Sequence, residues 1–206
     1  MVFARKIDGK FEVRLFCAEG LDAQVEWLFS VLSNIALTSK GLFDGCRIQV
    51  GWSHFVLYER SFGFVVCEPD FDRNPFLEYR ESVTSTLRIL SMQVDVLNRC
   101  GVEGTECLFS EKVIFDAGCI EDDEIYLERN VPNAKVHDSG WYIGPVLGNG
   151  VKPPPDKLKA AYVYEFLKLR PIVLCALFLP SKFLVVIKGA EIISVLNGSN
   201  KEVWRL

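Results

Sequence analysis

The chain has 206 residues, 50% of them hydrophobic and 24% charged, which is enough apolar material for a sizeable core and excludes large-scale disorder. Its formal net charge is −4 with a pI near 5.3, so it lacks the basic excess that nonspecific nucleic-acid binding requires. The longest apolar run, Ile172 to Leu179, is far too short to span a bilayer, and Met1-Val2-Phe3-Ala4-Arg5-Lys6 lacks the apolar stretch of a signal peptide, so a soluble cytoplasmic protein is expected.

In chain order, Lys10 to Ala18 alternates Phe11, Val13 and Leu15 against Glu12 and Arg14 and predicts a strand. Asp22 is placed to cap a helix whose Val25, Leu28, Leu32 and Ile35 recur at spacings of three and four. Asp44-Gly45 is a turn. Arg47 to Glu59 reads as one long strand, with a bulge or bend near Ser53-His54 because the apolar parity changes between Trp52 and Phe55. Ser61-Phe62-Gly63 turns the chain into Phe64 to Glu68, completing an antiparallel hairpin. After a loop, Asn74-Pro75 offers a cap and a first helical residue. Phe76, Val83, Leu87, Leu90, Val94 and Leu97 then predict a long amphipathic helix to Cys100-Gly101, its stripe read as core rather than interface.

Gly101 to Ser110 marks the expected boundary between an N-terminal α+β domain of unknown role, 1–105, and a C-terminal one, 110–206. Lys112 to Phe115, Ile125 to Leu127 and Trp141 to Ile143 predict three short strands. Gly148 to Pro155 is a connector, with a turn at Asn149-Gly150 and three prolines that exclude a helix interior or a central strand. Asp156 is expected to cap a helix carrying Leu158, Ala161, Tyr162, Phe166 and Leu169, stopped by Pro171. Phe183 to Lys188 and Glu191 to Leu196 form a hairpin, followed by a last strand ending in Trp204. Hairpins in both halves and about three helices imply an α+β fold with mainly antiparallel sheets, as two small domains or one bipartite domain.

Motifs that carry catalysis are missing. There is no G-x-S-x-G elbow, no phosphate-binding Walker loop and no H-E-x-x-H. The two histidines, His54 and His137, limit acid–base options. His54 reads as a partly buried strand residue, against a competing role as base for Cys46 or Cys67. His137 adjoins Asp138 and Ser139, but sequence neighbours rarely achieve the approach a triad needs. The run Glu121-Asp122-Asp123-Glu124 has oxygen ligands for a hard cation but not the spacing of a Ca²⁺ loop. It reads instead as a solvated loop or as a surface that speeds encounter with a basic partner. No catalytic residue, cofactor or metal is expected.

The most distinctive stretch is Asp138-Ser139-Gly140-Trp141-Tyr142-Ile143-Gly144. A carboxylate and a hydroxyl precede a Gly able to take positive φ, and aromatics follow as the start of a strand: an Asx-type turn that projects a Trp. Together with Tyr126-Leu127-Glu128-Arg129, Leu169-Arg170-Pro171 and the closing hairpin, it resembles the D-S-G-W domain of bacterial immunity proteins encoded beside polymorphic toxins, of the family thirty-three type. The resemblance runs from Val113 to Trp204 and implies a cytoplasmic protein that binds a cognate toxin and occludes it without chemistry. It implies partner contacts from Glu121, Asp122, Asp123, Glu124, Asp138, Ser139, Trp141 and Tyr142, with Trp141 weighed between anchor and core. Nucleic acid and membrane are not expected partners. Two alternatives stay open: a small enzyme with a Cys or Asp nucleophile, bringing His54 or His137 to Cys67 or Asp138, and a scaffold dimerising through the 74–101 helix.

The seven cysteines are an odd number set mostly in apolar runs, so all are expected to be reduced. Denatured protein should titrate the same number of thiols with and without reductant; a shortfall without reductant contradicts this.

Overall fold

The computed structural model describes residues 1–7, 9, 11–146 and 154–205, so Lys10 and most of the expected connector, including the Asn149-Gly150 turn, lie outside the described residues. The chain divides into two compact units, Met1–Ser91 and Met92–Leu206. Each contains a six-stranded mixed sheet, and the fold is α+β.

The first unit holds β1 (Val2–Ile7), β2 (Phe11–Phe16), α1 (Asp22–Ala36), β3 (Arg47–Val50), β4 (Ser53–Arg60), β5 (Gly63–Pro69) and β6 (Tyr79–Arg80). The strand order is β1-β2-β5-β4-β3, with β6 added to β5. β2 and β5 run parallel and the remaining pairs antiparallel. α1 buries Val25, Leu28, Phe29 and Leu32 in one cluster with Val13, Leu15, Phe55, Leu57 and Val66 of the sheet. Each such side chain contributes about 1.5–3 kcal/mol by leaving water.

Three expectations are corrected here. Asp22 is not the cap of α1: Leu21 holds that position without a side-chain bond, and Asp22 sits in the first turn, where its charge suits the helix dipole. Arg47 to Glu59 is two strands, because Gly51 at φ 55° reverses the chain and pairs Val50 with Ser53. The parity change is therefore a two-residue hairpin, not a bulge.

The long helix, α2, spans Thr84–Cys100 rather than starting at Asn74. Asn74 and Pro75 instead make a turn, in which Asn74 Oδ1 accepts the Phe76 N–H at 3.1 Å. The helix start is capped from a distance. Glu68 of β5, fully buried, accepts the N–H groups of Ser85 (3.2 Å) and Thr86 (2.8 Å) and pairs with Arg80 at 3.1 Å. Ser82 Oγ accepts the Thr84 N–H. α2 buries Leu87, Ile89, Gln93, Val96 and Cys100, whereas Val94 is exposed.

The second unit holds β7 (Lys112–Asp116), β8 (Glu124–Arg129), β9 (Asp138–Pro145), β10 (Leu158–Tyr162), α3 (Phe166–Leu169), α4 (Val173–Ala176), β11 (Leu184–Lys188) and β12 (Glu191–Leu196). The order is β10-β7-β9-β8-β11-β12, with β7 and β9 parallel. Leu158 to Tyr162 is thus a strand and not a helix: its backbone pairs with β7, Ala161 against Val113. The apolar spacing that mimicked a helix is overridden by this pairing. Only Phe166–Leu169 of the expected helix is α-helical. The expected last strand is reduced to a bridge between Leu196 and Glu202. Val113, Phe115, Ile125, Leu127, Trp141, Ile143, Val185 and Ile187 share one sheet face, none above 7% exposed. α3 and its neighbour cover that face, with Phe115 edge-on to Phe166 at 5.8 Å.

All seven cysteines are buried and free. His54 on β4 is 6% exposed, with Nε2 at 3.1 Å from the Tyr79 hydroxyl. Arg47 donates to the same hydroxyl at 2.8 Å. The hydroxyl is then free to donate to an unprotonated Nε2. Burial, and secondarily the Arg47 charge, lowers the His54 pKa from 6.5 to about 4. The unfolded chain therefore binds the extra proton first as pH falls. Stability is complete above pH 6.5 and is lost as pH falls toward about 4. His54→Gln should flatten unfolding free energy across that window by up to about 3 kcal/mol relative to the parent. Parallel pH profiles for the two proteins in urea would contradict this.

Candidate functional site

Arg129 closes β8 at a position whose parity belongs to the buried face, after Ile125 and Leu127. It is 1% exposed. Its guanidinium donates to the carbonyls of Leu179 (2.6 Å), Glu106 (2.8 Å), Thr105 (3.1 Å) and Ser139 (3.4 Å). Its plane centre lies 5.7 Å from the Trp141 ring. Burial lowers the Arg129 pKa, opposed by nearby Cys107 and Glu111. Arginine's fork of five donors makes this arrangement feasible: one side chain ties three separate segments to the sheet.

The Asp138–Trp141 segment is built around the same point. Asp138 Oδ1 accepts the Gly140 N–H at 2.9 Å, the expected Asx turn. Ser139 Oγ donates to the Lys112 carbonyl at 2.7 Å and accepts the Trp141 N–H at 3.3 Å. Gly140 lies at φ 77°, and a Cβ there would sit 2.4 Å from the Asn130 carbonyl oxygen. Trp141 is 1% exposed and its Nε1 donates to the Leu177 carbonyl at 3.0 Å. Ser139 and Trp141 are therefore interior groups that hold β9 in place. Asp138 and Tyr142 are half-exposed. A cleft of about 310 Å³ beside them is lined by Ile114, Asn130, Asp138, Gly140, Trp141, Tyr142 and Leu158.

A second arginine repeats the device at the acidic run. Arg170, just after α3, donates to the carbonyls of Ile120 (3.0 Å), Asp122, Asp123 (3.2 Å) and Gly189 (3.2 Å). Gly189 returns an N–H to the Asp123 carbonyl at 2.7 Å. The run is thus a tethered loop at the start of β8. Its main chain is held from within, and the side chains of Glu121, Asp122 and Asp123 are exposed, with Glu124 half-exposed. Among the described residues no group of three or more His, Cys, Asp or Glu is arranged to hold a metal ion.

The nucleophile alternative named His54, His137, Cys67 and Asp138. The β4–β5 register sets Cys67 against Val56, and His54 Nε2 faces Tyr79. Burial raises the Cys67 pKa to about 12, which disfavours its thiolate. His137 is exposed at φ 55° in the turn before β9.

Residues 92–204, more than half of the chain, match the model of the Imm33-like domain. The chain belongs to the Imm33-like family. A search of curated proteins and a search of solved structures each returned no significant match. The Imm33-like match begins at Met92, the first residue of the second unit, and takes in both carbonyl-binding arginines. The structural roles of Arg129 and Arg170 were not foreseen from sequence. For Arg129 the available signal was a charged residue on the parity of the buried Ile125 and Leu127.

Arg129→Lys keeps the charge and loses the fork. It should destabilise the protein by about 2–4 kcal/mol, since buried carbonyls lose their donors. Gly140→Ala should cost at least about 2 kcal/mol through its positive φ and the backbone clash. Urea unfolding of both variants checks this; parent-like midpoints contradict it.

Proposed function

We propose that this protein is an immunity protein that binds a toxin made by the same cell and neutralises it by non-covalent occlusion. Membership of the Imm33-like family carries the reading. The geometry is compatible with it: Ser139, Trp141 and Arg129 commit their polar atoms to the interior, so the second unit serves as a scaffold for what it displays. In this reading Glu121, Asp122, Asp123, Glu124, Asp138 and Tyr142 contact the toxin, and Ser139 and Trp141 position them. Association takes place in the cytoplasm, before the toxin leaves the cell, and needs no cofactor. Tethering the acidic loop through Arg170 lowers the entropy lost when its carboxylates meet a partner.

The test is co-expression with the toxin encoded by the neighbouring reading frame. The parent protein should restore growth and form a stable complex with that toxin. Replacing Glu121, Asp122, Asp123 and Glu124 with Gln and Asn should slow association by about tenfold at low salt and flatten its salt dependence, with dissociation little changed. Failure of the parent protein to rescue growth contradicts the function. Unaltered association kinetics contradict the role of the run.

A further inference from the structure

The second sheet has two unlike faces. One is the dry core described above. The other carries Ile114, Tyr126, Tyr142, Leu158, Leu184 and Val186, each half-exposed. Strand register makes them a continuous floor: Ile114 lies beside Tyr142, Tyr142 beside Glu128, and Glu128 beside Leu184. In the next row Tyr126 lies between Gly144 and Val186.

Gly144 sets the shape of this floor. A Cβ there would come within 2.7 Å of the Tyr142 ring and 3.0 Å of the Tyr126 ring. With hydrogen in its place both rings fold down over the strand, their centroids 5.7 Å apart. The Tyr142 hydroxyl is covered. The pair is held as a low aromatic platform, which is large contact area at small entropic cost.

The charges on and around the platform are unbalanced. Glu124, Glu128 and Asp138 stand on this face, and the exposed carboxylates of Glu121, Asp122 and Asp123 adjoin the start of β8. Among the described residues Lys112 faces Asp138 and Lys188 faces Glu124 across the strands, and Arg170 adjoins the acidic loop, so these carboxylates outnumber the cations beside them. The Lys112 ammonium already lies 5.7 Å from the Tyr162 ring on the same face, so the sheet makes one cation-on-tyrosine contact with itself.

We propose that this open face, centred on Tyr126, Tyr142 and Glu128, docks a basic protein surface whose arginine and lysine side chains lie on the tyrosine rings and pair with Glu128 and Asp138. Flat guanidinium groups suit both demands, stacking on a ring and bridging a carboxylate. The inference rests on the toxin-binding reading and adds that the toxin's contact surface is basic.

A peptide of about six Arg-Gly repeats, with a Glu-Gly peptide as control, tests the face without the toxin by amide and methyl NMR shifts. Saturable shifts at Ile114, Tyr126, Tyr142 and Val186 are expected with the Arg-Gly peptide alone. The double variant Tyr126→Ser/Glu128→Lys, checked for an unchanged melting temperature, should weaken binding by at least about tenfold. Glu19→Lys, the same charge reversal at an exposed site in the first unit, should bind like the parent. No shifts, shifts scattered over the surface, or equal weakening by Glu19→Lys would each overturn the proposal. The neighbouring-frame toxin separates the two readings. If the parent and the double variant neutralise it equally, the face is wrong and the immunity function stands. If the parent fails to neutralise it while the peptide maps to the face, the immunity function is wrong and the basic-surface docking stands.

Discussion

A buried guanidinium bonded to four backbone carbonyls is the constraint on which the second unit depends. Arg129 draws Thr105 and Glu106, Ser139, and Leu179 onto the end of one strand. Burying a cation costs several kcal/mol, and the arrangement is stable only because its donors find acceptors at good distance. Three of these bonds satisfy carbonyls outside the strands, at Thr105, Glu106 and Leu179. Trp141 then closes the assembly by covering the guanidinium and donating to Leu177.

The device recurs. Arg170 gathers the acidic loop and the β11–β12 turn through four more carbonyls. In the first unit the sign is reversed: the buried carboxylate of Glu68 collects the N–H groups at the start of α2, balanced by Arg80. Each ion, buried at Arg129 and Glu68 and half-exposed at Arg170, completes the backbone's hydrogen bonding where regular structure stops. The distinctive Asp-Ser-Gly-Trp stretch consequently specifies a scaffold. In the proposed reading, recognition falls to the half-exposed face and the tethered acids around it, while the buried bonds keep the sheet in place.

Much of this was legible in the sequence. The apolar, β-branched runs in Phe183 to Lys188 and Glu191 to Leu196, separated by Gly189-Ala190, identify β11 and β12 because both signals are local. The Asx turn at Asp138 is local too. What escaped was decided by distant partners. The start of α2 depends on Glu68, a distant cap that the nearby Ser82 does not reveal. Leu158 to Tyr162 has the spacing of a helix and becomes a strand because β7 offers it an edge. The reversal at Gly51 was hidden because a change of apolar parity between Trp52 and Phe55 suits a bulge as well as a two-residue turn. For the site, the sequence singled out the Asp138–Tyr142 segment without separating its interior groups from its displayed ones. Trp141 looks equally suited to an anchor and a core, and only the carbonyl of Leu177 and the plane of Arg129 place it inside.

A double-mutant cycle on Arg129 and Trp141, read as urea unfolding free energies of the parent, Arg129→Met, Trp141→Phe and the double variant, tests most directly whether these residues act as one structural unit. The account predicts a coupling of about 1 kcal/mol or more, because either change alone already loosens what the other holds. Effects that add to within about 0.5 kcal/mol would contradict it, and would return Trp141 to the list of independent groups free to serve elsewhere.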